Sequence, residues 1–151
     1  MLREAFATAQ KEAMRAGDKA RLAAVRLIIA AVKDQDIAAR GEGRDQLQDQ
    51  EILALLQKMV KQRRESADIY AKAGRDDLAA AERAEIAVLE SFMPAQMDAA
   101  AIEQAVKAAI AEVGAASMKD MGKVVAALKA RYAGQMNFAE ASAVVKAALG
   151  G

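Results

Sequence analysis

Apolar residues recur every three to four positions along nearly the whole chain, as in Leu22, Val25, Ile29 and Val32 and again in Ile52, Leu55, Leu56 and Met59. No stretch sustains the period-two alternation of a half-buried strand. That pattern confines the chain to helices packed on helices, so the expected fold class is all-α. Aromatic residues are 3% of the chain and apolar types 54%, which leaves alanine and aliphatic side chains to build the core. The length of 151 residues suffices to bury one, in one or two small lobes.

Turn-forming residues punctuate the helical pattern. Gly17-Asp18 is predicted to end a first helix and cap a second, Gly41-Glu42-Gly43 to form a loop, Gly74 to close a long third helix and Asp76 to cap a fourth. Pro94 is the only proline. The chain cannot run through it as unbroken helix, and Asp98 can cap the next helix, so the boundary falls there. The expected organisation is an N-terminal four-helix lobe over 1–94 and a smaller three-helix lobe over 95–151. The latter has helices near 99–113, 118–132 and 138–149, with Asn137 and Glu140 spaced as a capping box.

Composition removes several function classes. With no cysteine there is no disulfide, thiolate nucleophile or cysteine zinc site, and with no histidine the commonest metal ligand and the usual general base are missing. No metal or cofactor is expected. The formal charge is +1, too small for the global basic field of a general DNA binder, so any polyanion contact must be local. The N-terminus lacks a continuous apolar signal-like segment, and no apolar run approaches the ~20 residues that span a bilayer. The expected location is cytoplasmic, with no membrane partner.

From Ser117 onward five cations (Lys119, Lys123, Lys129, Arg131 and Lys146) stand against Asp120 and Glu140. Ser117 with Asp120 reads as a helix start at Met118. Met118, Met121, Val124, Val125 and Leu128 then share one face, while Lys119, Lys123 and Lys129 gather on the other with Gly122. A glycine inside a helix costs about 1 kcal/mol relative to alanine and calls for a reason. Two are open: Gly122 admits a neighbouring helix beneath a solvated face, or it lets a phosphate backbone approach while Lys119, Lys123, Lys129 and Arg131 supply charge. Tyr132 and Phe138 flank the Gly134 turn, where they can fill core or stack on a base.

Arg63 falls among Leu56, Met59, Val60 and Tyr70 on the apolar side of the third helix, where a charge needs a counter-charge or a route to solvent. Glu82 and Glu85 on the fourth helix share a face with Leu78, Leu89 and Phe92, so a structural ion pair from Arg63 to one of them is expected. The outer side of the third helix neutralises itself through Lys61 to Glu65, Arg64 to Asp68 and Asp68 to Lys72. Glu82 and Glu85 have the spacing of an acid and base, yet no nucleophile or phosphate loop accompanies them, and no catalytic residue is assigned.

Four segments together resemble the GatB/YqeY family: Lys119-Asp120-Met121-Gly122-Lys123, Val60-Lys61-Gln62-Arg63-Arg64-Glu65-Ser66, Ala73-Gly74-Arg75-Asp76-Asp77-Leu78 and Leu89-Glu90-Ser91-Phe92-Met93-Pro94-Ala95-Gln96. They follow the family's order along the chain, the resemblance covers nearly the whole chain, and it is to the stand-alone YqeY-like form. The family includes the helical and tail part of the B subunit of glutamine-dependent tRNA amidotransferases, carbon-nitrogen ligases with glutamine as amido-N-donor. The resemblance implies a tRNA-directed accessory module, with tRNA or a tRNA-charging or amidotransferase component as partner, and without the separate catalytic portion. One departure is local: where the tail pattern places a Lys-Gly-Lys-like turn, this chain has Tyr132-Ala133-Gly134-Gln135. The alternative from another class is a helical protein-protein interaction module with no RNA contact.

Overall fold

A computed structural model describes residues 1–150. Seven α-helices run along them: α1 (Leu2–Ala16), α2 (Lys19–Gly41), α3 (Asp49–Lys72), α4 (Asp76–Glu90), α5 (Ala99–Val113), α6 (Met121–Tyr132) and α7 (Phe138–Gly150), with a 3-10 turn, Met118–Asp120, ahead of α6. No strand occurs among the described residues, and none of their helices is long and apolar enough to cross a membrane. The chain divides into two compact units, Met1–Pro94 and Ala95–Gly151.

In the first unit, α1 and α2 meet at Gly17, whose φ of 68° supplies the left-handed turn that closes α1. The Asp18 amide reaches back to the Ala13 carbonyl at 3.0 Å, and the Asp18 carboxylate accepts from the Arg21 amide at 3.0 Å, starting α2. α3 and α4 meet in the same way around Gly74. Here the expected cap shifts by one residue, since Asp76 is the first helical residue of α4 and Arg75 occupies the N-cap position. Phe6, Ile28, Val32, Ile52, Leu56, Val60, Ile86 and Leu89 form the core. Phe6 meets Phe92 edge to face at 4.9 Å between ring centres, and the Arg21 guanidinium lies 5.8 Å over Phe92. The remaining contacts rest on buried alanines, Ala9, Ala13, Ala24, Ala39, Ala67 and Ala79, whose small side chains let helix axes approach.

The second unit packs α5, α6 and α7 around Ile102, Val106, Val124, Leu128, Met136 and Val145. Asp98 accepts from the Ala101 amide at 2.8 Å to start α5, and Asn137 accepts from the Ala139 and Glu140 amides at 3.1 and 3.2 Å to start α7. The segment entering α5 is tied to the turn before α7. Gln96 Nε2 donates to the Gly134 carbonyl at 2.6 Å, and the Met97 amide donates to the Gln135 carbonyl at 2.9 Å. Both carbonyls are therefore spent within the unit. Tyr132 and Phe138 are half-buried against its core.

Asp36 is the one buried charged residue among the described residues, at 8% exposure on the inner face of α2. Arg3 of α1 grips it with two bonds, Nη1 to Oδ2 at 2.7 Å and Nη2 to Oδ1 at 2.8 Å. The Leu47 amide donates to Oδ1 at 2.9 Å, and Arg3 Nη2 also donates to the Leu47 carbonyl at 2.9 Å. Two helices and the loop that leads into α3 are joined at one carboxylate. The Arg3 hydrogen bonds hold the Asp36 carboxyl down at about 2; desolvation opposes this, and the Leu47 amide adds to the lowering.

A depressed carboxyl stabilises the fold above its unfolded-state pKa near 4 and loses that contribution as pH falls towards about 2. The wild type should lose on the order of 2 kcal/mol across that window from this group. Asp36→Asn should cost about 2–4 kcal/mol at pH 7, because Arg3 is left without its counter-charge, and should flatten the stability curve between pH 4 and 2. Urea unfolding at several pH values measures both, and parallel curves for the two proteins would show that Asp36 is not the acid-sensitive group.

Candidate functional site

The helix expected from Met118 begins as a 3-10 turn and becomes α6 only at Met121. The expected capping box of Ser117 and Asp120 is formed: the Asp120 carboxylate accepts from the Ser117 amide at 3.4 Å and also from the Ala116 amide at 3.0 Å, which holds its pKa below the ordinary carboxylate range. The tighter turn also moves Met118 off the core face. It remains 41% exposed, with its sulfur beside Gly150, whereas Val124 and Leu128 are fully buried.

The outward face of α6 consists of Gly122, Lys123, Ala126, Lys129 and Ala130, all exposed, with Lys119 exposed on the turn before it. Basic side chains thus alternate with residues that barely project. Gly122 bears on one part of the readings left open by the sequence. A Cβ built on it meets no atom within 4 Å, and its φ is not positive. No helix of its own unit packs there, and the backbone conformation does not require glycine. The helix-admitting explanation is corrected: within this unit the glycine keeps a surface flat.

Arg131 lies on the rim and is engaged by Glu112 of α5, with Nη2 at 2.9 and 3.2 Å from the two carboxylate oxygens. That contact raises the Arg131 pKa and spends its charge locally. Lys123 contributes to the lowering at Asp120. The other cations of this face are Lys119, Lys123 and Lys129.

In the first unit the structure brings Arg63, Glu82 and Glu85 together. Arg63 Nη1 donates to Glu82 Oε2 at 3.0 Å and contacts Glu85 Oε2 as well, so one guanidinium serves two carboxylates. The side chains keep 19–31% exposure, a partly solvated bridge between α3 and α4. Beside it, Ala24, Leu27, Ile28, Met59 and Leu89 leave a hollow of only about 10 Å³, too small for a substrate. A larger depression of about 260 Å³ over Met59, Gln62, Arg63 and Ser66 is walled by α3 alone and does not enclose a ligand. No group of three carboxylates among the described residues could hold a metal ion.

The family model described as Yqey-like protein matches residues 3–149 of this chain. Among curated proteins, altered inheritance of mitochondria protein 41, mitochondrial, of Eremothecium gossypii is 36% identical over 98 residues, covering 65% of this chain and 52% of that protein. The protein of the same name from Saccharomyces cerevisiae strain S288c is 30% identical over 83 residues, covering 55% of this chain and 43% of its own length. The matched region thus spans about half the length of these curated relatives.

This geometry sets two stability outcomes. Gly122→Ala should raise stability by up to ~1 kcal/mol, since the added methyl meets nothing and the unfolded chain loses freedom; thermal unfolding that finds a loss instead would mean a packing contact at this position. Glu82→Gln and Glu85→Gln should each cost less than about 1 kcal/mol because the other carboxylate remains, while the double variant costs about 2–3 kcal/mol. The excess over additivity in this pair is the measurement, and strict additivity would show that Arg63 does not share its charge between them.

Proposed function

We propose that this chain, which belongs to the YqeY-like protein family, is a tRNA-directed accessory module that holds a nucleic-acid backbone against the α6 face and carries out no bond-making step by itself. The observation that carries the reading is Gly122, an exposed helical glycine flanked by Lys119 and Lys123 whose presence no contact within its own unit explains. A glycine there lets phosphate oxygens approach the helix backbone closely, and the lysines supply the attraction. Ala126 and Ala130 continue the flat surface, with Lys129 as the next charge along it. Arg131, held by Glu112, is a positioned rim charge.

A phosphate contact positions a nucleic acid without reading its sequence, so this face suits recognition of a backbone shape common to many tRNAs. The Tyr132-Ala133-Gly134-Gln135 turn takes no part in the reading, because the Gln135 and Met136 amides, the donors a phosphate would need there, already donate to the Tyr132 carbonyl at 3.0 and 3.2 Å. Glutamine-dependent amide transfer enters only through the resemblance of this chain to the helical and tail part of the amidotransferase B subunit. The module then works alongside a partner that supplies the chemistry. A compartment with its own tRNA pool is what the role requires, the cytoplasm among them.

Fluorescence anisotropy with unfractionated tRNA between 50 and 200 mM salt tests the reading. Lys119, Lys123 and Lys129 should together contribute about three units to the log-log salt slope, and Lys119→Ala with Lys123→Ala should remove about two of them across all tRNAs alike. Gly122→Ala should weaken binding several-fold while stabilising the fold. If neither variant changes affinity or slope, the α6 face is a solvated surface and a helical protein-protein contact becomes the better account of the module.

A further inference from the structure

The outward face of α2 carries a second surface, in the other unit, that the role of α6 does not use. Lys19, Arg26, Lys33 and Arg40 follow one another at seven-residue intervals and are all exposed. At 100° per residue they lie within about 60° of one another, beside and outside the face that buries Ala24, Val25, Ile28, Val32, Asp36 and Ala39. Between them on the same stripe come Ala23, Ala30 and Ile37, also exposed. Of the two α2 carboxylates, Asp34 lies at the margin of the stripe, and Asp36, four residues before Arg40, is engaged by Arg3.

What distinguishes Lys19, Arg26 and Lys33 is that no carboxylate pairs with them. No carboxylate lies within salt-bridge distance of Lys19, Arg26 or Lys33 among the described residues, and no acidic residue sits three or four positions from Lys19 or Arg26. Arg40 donates through Nε to the Asp45 carbonyl, and its charge also helps to lower the Asp36 carboxyl, so it is the partly compensated end of the row. On α3, by contrast, Arg63 and Arg64 are both paired with α4 carboxylates. The helix rise places the four α2 charges about 10 Å apart over roughly 30 Å, a straight row on a helix whose alanines allow close approach.

We propose that this stripe is a second contact surface for the phosphate backbone of structured RNA, independent of α6. A linear row of strongly hydrated point charges and guanidinium groups, separated by small side chains, complements a polyanion that presents charge along its length. Insertion into a lipid surface needs a broad apolar or aromatic face, and this stripe carries only Ile37. The surface deepens the tRNA-directed reading but rests on its own residues, so either can fail alone.

The test compares two charge-matched triple variants of the full chain. Lys19→Gln, Arg26→Gln and Lys33→Gln together remove three charges from the α2 stripe, and Lys58→Gln, Lys61→Gln and Lys72→Gln remove three from the outer side of α3. With unfractionated tRNA as the probe, the α2 triple should bind at least tenfold more weakly at 50 mM salt and show a salt slope shallower by two to three units. The α3 triple should change affinity less than threefold. Equal losses in both triples would overturn the proposal, because net charge alone would then account for them. An α2 triple that retains wild-type tRNA binding but loses binding to phosphatidylserine vesicles would also overturn it, in favour of a membrane surface. If the α2 triple loses tRNA and the α6 variants do not, the stripe stands and the role of α6 falls; the reverse pattern removes the stripe and leaves α6.

Discussion

Taking one carboxylate out of water obliges the rest of the first unit to answer it. Asp36 has two oxygens to satisfy, and it meets them with a bidentate Arg3 and the Leu47 amide, while the same guanidinium collects the Leu47 carbonyl. The start of α1, the second half of α2 and the loop before α3 are consequently fixed relative to one another. An alanine-rich core does not specify register in this way. Ala9, Ala13, Ala24 and Ala39 fit beside many neighbours, and sliding one helix past another changes their burial little, whereas a displaced Arg3 leaves a buried charge unpaired. Arg63 between Glu82 and Glu85 sets the register of α3 on α4 in a softer, more solvated form.

Helix existence and most boundaries were legible in the sequence because local chemistry writes them. Gly17, Gly74 and Gly114 adopt the positive φ that ends a helix, and Asp18, Asp98 and Asn137 accept the amides that begin one. The same rules found the start at Met118, where Ser117 and Asp120 form the expected capping box, but not that the first turn is 3-10 and α6 proper begins at Met121. Arg3 and Asp36 went unnoticed because they are 33 residues apart and no local pattern links them. A signal was present nonetheless. Ile28, Val32 and Asp36 recur at four-residue steps on the buried face of α2, the same anomaly of a charge on an apolar stripe that exposes Arg63.

The α6 surface was legible as a set of residues but not as a choice between explanations. Whether a helical glycine faces a neighbour or solvent depends on tertiary packing, which spacing does not report, and only the empty space around Gly122 shows that no helix of its own unit packs against it. Arg131 belongs with the lysines by sequence, yet Glu112 lies on a different helix and could not be matched to it from the chain alone. The α2 stripe escaped for the opposite reason. Its seven-residue spacing is plain, but exposed lysines are ordinary, and their significance lies in the carboxylates that are not beside them.

Formal charge of +1 therefore conceals an uneven distribution rather than a neutral surface. On α3 and α4, opposite charges sit within reach and largely cancel beyond a Debye length of ~8–10 Å, so a polyanion gains little by approaching that side. On α2 and α6, cations stand between alanines and glycine and outnumber the carboxylates of the same face, and attraction grows only when a phosphate comes close. A uniformly basic protein binds any polyanion at any orientation. A nearly neutral one with local basic rows gains energy only when phosphates align with those rows, which turns modest electrostatics into a preference for shape.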